Sequence, residues 1–178
     1  MALKPQDVYV ALKIVAAHAK RAPYSQIAQE LGMSPSEVHA SVKRAERSQL
    51  LHGSGMNNRP NFSALEEFLF HGLRYAFPPE RDGLTRGVPT SYGAEPLCSI
   101  IASGGEPLPV WPYEEGKQRG MAFQPLYKTA PAAALRDPIF YEYLALIDAL
   151  RDGRARERQI AEKELRRRLR EASEQYKP

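Results

Sequence analysis

The sequence predicts a mainly α-helical protein with a loop-rich middle segment. Apolar residues recur at helical spacing, with capping residues before them, between residues 5 and 77 and again between residues 137 and 172. The 15 prolines concentrate in residues 78–138, which predicts turns and loops there. Because 43% of the 178 residues are hydrophobic, the chain has enough apolar side chains to form a core.

The amino-terminal third begins with a predicted helix over about residues 5–20. Val8, Leu12 and Val15 lie on one stripe of this helix because they are four and three residues apart. An Ala-Pro pair then interrupts the pattern, and Ser25 is the expected cap of the next helix.

Residues 24–51 predict a short helix, a tight turn and a longer basic helix. Gly32 suits the left-handed backbone that often ends a helix. Ser34, followed three residues later by Glu37, matches a capping box at the start of the second helix, residues 34–49. Its apolar positions share one face and can pack on the short helix: Val38, Val42 and Ala45.

The opposite face of this second helix carries small, hydrogen-bonding and cationic side chains. This face carries Ser36, Ala40, Lys43 and Arg47, and it is flanked by His39 and Arg44. Such a face suits the major groove of DNA, because small residues permit close approach while arginine and lysine reach bases or phosphates. With Ala28, Gly32 and Val38 where two helices would touch, the segment resembles a helix-turn-helix. The alternative is an ordinary helical hairpin with a solvated basic face.

Residues 52–61 contain a cluster of glycine, asparagine and proline that predicts a hairpin with a loose tip, or wing. Arg59 would contact the minor groove or the DNA backbone. The alternative is a simple loop to the next helix.

With this order of elements, residues 1–62 resemble a winged helix-turn-helix of bacterial transcriptional regulators of the MarR-like kind. The resemblance covers about a third of the chain. It implies a double-stranded DNA ligand, residues 34–49 as the recognition helix, and a homodimer that reads a palindrome. The proline- and glycine-rich insert that follows does not match that pattern.

Residues 63–138 predict one helix and a long extension. Ser63 is the expected cap of the helix, whose wide apolar face needs the C-terminal helices or a second subunit as its partner. In the extension, Glu114 to Lys117 predict a hairpin tip, and Cys98 in an apolar run predicts a buried thiol. Three aromatic residues are candidates for an effector or partner-protein site, with a role in the core as the alternative: Tyr92, Trp111 and Tyr113.

Residues 139–178 predict a pair of helices, the second with a narrow apolar stripe and alternating charges. Counted along the chain, residues 1–61 carry eight Lys or Arg against four Asp or Glu, and residues 139–178 carry ten against eight. Residues 62–138 carry seven against nine. An anionic partner would therefore be attracted to the two ends of the chain.

The sequence shows no phosphate-binding glycine motif, no zinc-ligand spacing and no nucleophile elbow. We therefore expect no enzymatic activity and no metal or cofactor. A long apolar run is also absent, which predicts a soluble, cytoplasmic protein. The expected function is sequence-specific binding of double-stranded DNA as a repressor. The alternative is a winged-helix docking, adaptor or antitoxin-like module that binds another protein.

Overall fold

The computed structural model describes residues 2–18, 20, 22–53, 57–102 and 104–176. The chain is mainly helical, as predicted. The first elements are α1 Pro5–Ala16, α2 Tyr24–Leu31, α3 Pro35–Arg47, β1 Leu51–His52, β2 Arg59–Pro60 and α4 Phe62–Glu67. A π-helical turn, Phe68–Gly72, joins α4 to α5 Leu73–Ala76. The remaining elements are β3 Arg81–Pro89, β4 Pro109–Pro112, β5 Gln118–Phe123, α6 Ala130–Arg136, α7 Pro138–Asp152 and α8 Ala155–Gln175.

The ends of the first three helices follow from local chemistry, with two departures from prediction. Helix α1 ends at Ala16 rather than at residue 20, and His18 beyond it has a φ of 50°. Helix α2 begins two residues early, with Pro23 rather than Ser25 at its N-cap, so Ser25 lies inside the helix. Gly32 ends α2 with a φ of 65°, as predicted. The predicted capping box of α3 is confirmed and is described with the site below.

The core is built around α7. Residues 143–151 are all buried, and α7 packs against α1, α5, α6 and α8. The predicted apolar stripe of α8 is buried against it: Ala161, Leu165, Leu169 and Ala172. The apolar face of α4 and its continuation is also buried, at Leu65, Leu69 and Leu73, against the C-terminal helices. Of the two partners that the sequence allowed for this face, the C-terminal helices or a second subunit, the structure shows the C-terminal helices.

Two further details concern the cap of α4 and the arginines of α8. Asn61, not Ser63, caps α4, because its side-chain oxygen accepts a hydrogen bond from the Ala64 N–H at 3.3 Å. The three consecutive arginines of α8 are engaged in ion pairs with acidic side chains. Arg166 pairs with Glu66 and Glu162, Arg167 with Glu164 and Glu171, and Arg168 with Glu142 and Glu164.

The middle segment contains a small closed sheet that the sequence analysis did not predict. Strand β3 pairs antiparallel with β5 through its first half and with β4 through its second half, and β4 runs parallel to β5. Residues 114–117 therefore do not form the predicted hairpin tip but join two parallel strands. The close approach needs glycine: a Cβ at Gly87 would collide with the Trp111 carbonyl oxygen, and one at Gly120 with the Leu108 carbonyl oxygen.

A buried polar cluster fixes this sheet to α7. The Trp111 indole N–H and the Thr90 hydroxyl each donate a hydrogen bond of 2.7 Å to Asp148 Oδ2. Arg151 donates to Asp148 Oδ1 at 2.8 Å and to the carbonyl oxygens of Phe77 and Gln124. Burial raises the pKa of the Asp148 carboxyl, and the neighbouring Arg151 guanidinium opposes that rise.

Two other predictions concern exposure. Cys98 is exposed rather than buried, because it lies on the outer side of a single 3-10 turn, Leu97–Ser99. Among the residues that the structure describes, no helix is both long enough and apolar enough to cross a membrane.

Candidate nucleic-acid interface

The inner face of α3 is held against α1 and α2. Val38, Val42 and Ala45 are completely buried, and α3 packs on both preceding helices. The helix begins at a double cap, in which the Glu37 N–H donates to the Ser34 hydroxyl and the Ser34 N–H donates to the Glu37 carboxylate. The backbone of α3 is therefore fixed at its start and along its inner side.

The outer face of α3 presents four of the predicted DNA-binding residues. Ser36, His39, Lys43 and Arg47 are all exposed. Positions 36, 43 and 47 are seven and four residues apart, so they follow one side of the helix over its whole length. Lys43 keeps 58% of its side chain exposed, and its only ion pair within the described chain is a 3.9 Å contact with Glu46. Two cations on this side are thus accessible to an anion.

Arg44 departs from the predicted role. Its side chain is only 6% exposed, and its guanidinium donates to both carboxylate oxygens of Asp7, from Nη2 to Oδ1 at 2.7 Å and from Nε to Oδ2 at 2.9 Å. Because this position lies at the edge of the buried face, the side chain points back toward α1. Arg44 therefore anchors α3 and does not reach a ligand.

The predicted hairpin is present as two paired residues in each strand. Leu51 pairs with Pro60 and His52 with Arg59 in an antiparallel register, and Arg59 is exposed. The predicted tip at residues 54–56 lies outside the described residues. Below the hairpin, the Asn61 side-chain amide donates to the Gln49 carbonyl oxygen at 2.8 Å, which ties the hairpin to the end of α3.

Tyr24 connects the hairpin to the outer face of α3, a role that the sequence analysis missed. Its hydroxyl accepts a 2.6 Å hydrogen bond from the Asn58 side-chain amide, and its ring lies 5.7 Å from that of His39. Burial raises the pKa of Tyr24, and the Asn58 hydrogen bond opposes that rise. No periodic pattern marks such a contact, because its partners are 34 residues apart in the sequence.

A cleft of about 670 Å³ opens beside the hairpin. Its walls come from the end of α1, from α2, from the hairpin, from the start of α7 and from the end of α8. Lys13 lies at this junction and forms ion pairs with Glu30 at 2.8 Å and Asp137 at 2.6 Å. The predicted effector residues do not line this cleft.

The three aromatic residues predicted for an effector or partner site have different surroundings. Trp111 is 1% exposed and belongs to the Asp148 cluster, so its role is the core alternative that the sequence left open. Tyr92 packs against the core on a 3-10 turn and is half-buried. Tyr113 lies in the loop after β4, where its hydroxyl is 3.4 Å from Glu115.

No group of three or more histidine, cysteine, aspartate or glutamate side chains within the described residues could hold a metal ion. Comparison of the chain with known protein families, with curated proteins and with solved structures finds no match. The functional conclusion therefore rests on the residues of this chain.

Proposed function

We propose that residues 1–62 form a winged helix-turn-helix that binds double-stranded DNA, with α3 in the major groove and the β1–β2 hairpin on the adjacent backbone or minor groove. In this arrangement Lys43 and Arg47 supply phosphate and base contacts. Ser36 and His39 add polar contacts, and Arg59 contacts the DNA from the hairpin.

The outer face of α3 is the observation that carries the proposal. It combines a side free of bulky apolar residues, two exposed cations and an inner side fixed by the Arg44–Asp7 ion pair. A helix that is already fixed loses little conformational entropy when it binds. Small and cationic side chains on its outer side can then approach base edges. Two acidic side chains of α3 lie near this face: Glu37 is held in the capping box, and Glu46 lies 3.9 Å from Lys43.

A DNA-binding protein of this kind acts as a transcriptional repressor when it occupies an operator and blocks access to it. We further propose that the protein binds as a homodimer, since two copies related by a two-fold axis read a palindromic site with more contacts than one copy.

Selection of duplexes from a random pool by the full chain tests this function. The proposal expects one enriched motif, and two inverted half-sites about one helical turn apart if a dimer binds. Recovery of unrelated sequences after repeated rounds, with no enriched motif, would contradict it.

Docking to another protein is the second candidate function. It is favoured by two apolar side chains at the α6–α7 junction, since Leu135 is 56% exposed and Ile139 is 48% exposed. A protein partner that is retained by a Lys43→Ala/Arg47→Ala variant but lost by a Leu135→Asp/Ile139→Asp variant would favour this function. The reverse pattern would exclude it for that partner.

A further inference from the structure

A short segment from the second half of the chain reaches the turn between α2 and α3. Residues 127–129 follow β5 and precede α6. The Thr129 hydroxyl donates a 2.6 Å hydrogen bond to the carbonyl oxygen of Leu31, the last residue of α2. Its methyl group lies so close to Gly32 that a Cβ there would be only 3.3 Å from Thr129 Cγ2. The segment therefore packs directly on the turn that precedes α3.

The other end of the segment is fixed to α3 itself. The Tyr127 hydroxyl donates a 3.1 Å hydrogen bond to Glu37 Oε1, and the Tyr127 ring stacks 5.4 Å from that of Tyr9 on α1. Hydrogen bonds from Ser34 lower the pKa of Glu37 most, the Tyr127 hydroxyl lowers it further, and the charge of Lys128 adds to the effect. These neighbours therefore stabilise the negative charge of the Glu37 carboxylate.

Lys128 is the residue between these two anchors. It is exposed, and it forms no ion pair closer than 4.0 Å with any part of the chain that the structure describes. Since Tyr127 and Thr129 are each hydrogen-bonded to the helix pair, the backbone of Lys128 is held in place while its side chain extends into solvent. A cation on a fixed backbone loses little order when it meets an anion.

Lys128 lies beside one edge of the outer face of α3. Successive residues of an α-helix are turned by about 100° about its axis, and Glu37 and His39 are two positions apart. They therefore lie on opposite flanks of that face. Tyr24 and the hairpin adjoin the His39 flank, whereas Tyr127 and Lys128 adjoin the Glu37 flank. Lys128 is therefore a cationic residue beside the Glu37 edge of the outer face of α3.

We propose that Lys128 binds a backbone phosphate of the same DNA duplex whose major groove receives α3. This inference rests on the proposed function. It assigns part of the DNA-binding surface to the segment that follows the small sheet, beyond the 62 residues in which the sequence predicted that surface. The contact is to phosphate, so it contributes to affinity for every sequence and not to the choice among sequences.

Fluorescence anisotropy with the selected duplex over a series of salt concentrations tests the inference. The variants are Lys128→Ala and Lys128→Gln, and the matched control is Lys117→Ala, an exposed lysine in the loop between β4 and β5. Loss of one phosphate contact should lower the slope of log affinity against log salt by about 1 and reduce affinity about five-fold near physiological salt. The control should keep the wild-type slope.

The possible outcomes separate the inference from the proposed function. A reduced slope for both Lys128 variants, with equal losses on selected and unrelated duplexes, supports the phosphate contact. If the wild-type protein binds its selected duplex and the Lys128 variants keep the same slope and affinity, the inference is wrong and the proposed function stands. If the wild-type protein binds no duplex, the proposed function fails and the inference fails with it.

Discussion

Arg44 and Asp7 form a two-point ion pair between α3 and α1 that is almost completely enclosed, with 6% of the arginine side chain and none of the aspartate side chain exposed. The same carboxylate accepts the Lys4 backbone N–H at 2.8 Å at the start of α1. One buried acid thus caps the first helix and orients the third. Arg44, which the sequence predicted to contact DNA, instead helps to determine where the outer face of α3 points.

Replacement of Asp7 by alanine should destabilise the protein by roughly 3–5 kcal/mol, because it leaves the Arg44 guanidinium buried without its partner. Denaturant unfolding followed by circular dichroism measures this loss. The double variant Asp7→Leu/Arg44→Met should recover much of the stability, since two apolar side chains need no partner. A single variant that loses less than about 1 kcal/mol would show that the pair is solvated and not enclosed.

Arg44→Ala and Arg47→Ala should affect different properties, although the two residues are three positions apart on one helix. The first should lower stability, and the second should weaken DNA binding. Arg47 is exposed, so its removal should leave the free energy of unfolding nearly unchanged and weaken DNA binding by roughly 1–3 kcal/mol if it contacts a guanine edge. Arg44→Ala should lower stability, and any loss of DNA binding should follow the loss of folded protein. Anisotropy and thermal unfolding of the same samples measure both. Equal effects of the two variants on binding, at equal stability, would contradict the assignment.

Trp111→Phe should lower stability by about 1–3 kcal/mol without changing DNA affinity. The substitution keeps an aromatic ring in the core but removes the indole N–H that donates to Asp148 at 2.7 Å, so a buried carboxylate loses one of its donors. The control is Tyr113→Phe, which removes a hydroxyl with only a 3.4 Å contact and should cost much less. Similar losses for the two variants would mean that the Asp148 cluster contributes little to stability.

The protein should lose stability between pH 10 and pH 12 because buried tyrosines resist ionisation. Burial raises the pKa of Tyr141 to about 12 from its ordinary 10.0, and it also raises the pKa of Tyr9 and of Tyr143. Tyrosine is neutral when protonated, so the unfolded chain releases these protons first. The stabilisation is complete below pH 10 and is lost as the pH rises toward 12.

Denaturant midpoints at increasing pH, with tyrosinate absorbance recorded in parallel, measure this effect. Tyr141→Phe should make the decline less steep, because it removes the hydroxyl that donates to the Pro89 carbonyl oxygen at 2.5 Å. All tyrosines ionising near pH 10 in the folded protein would contradict the prediction.

Local chemistry explains which parts of the fold could be predicted from the sequence. The cap at Ser34, the left-handed Gly32 and the buried stripe of α8 all depend on neighbouring residues no more than four positions apart. Such patterns can be recognised without knowledge of the rest of the chain. The exposed positions of α3 followed from the same helical period.

The features that the sequence did not predict depend on distant partners. Arg44 lies 37 residues from Asp7, and Trp111 lies 37 residues from Asp148. The closed sheet pairs strands interrupted by proline and glycine, residues that normally indicate loops. The contact of Tyr127 with Glu37 also joins residues that are 90 positions apart, so no local pattern could predict it.

We expect the outer face of α3 to bind DNA, and a salt series on one duplex is the sharpest test of this expectation. The wild-type protein and a Lys43→Ala/Arg47→Ala variant are compared by anisotropy on the selected duplex. The wild type should bind tightly with a steep salt dependence, and the variant should bind with strongly reduced affinity and a slope that is lower by about 2. Binding by a folded variant that equals the wild type at every salt concentration would contradict it.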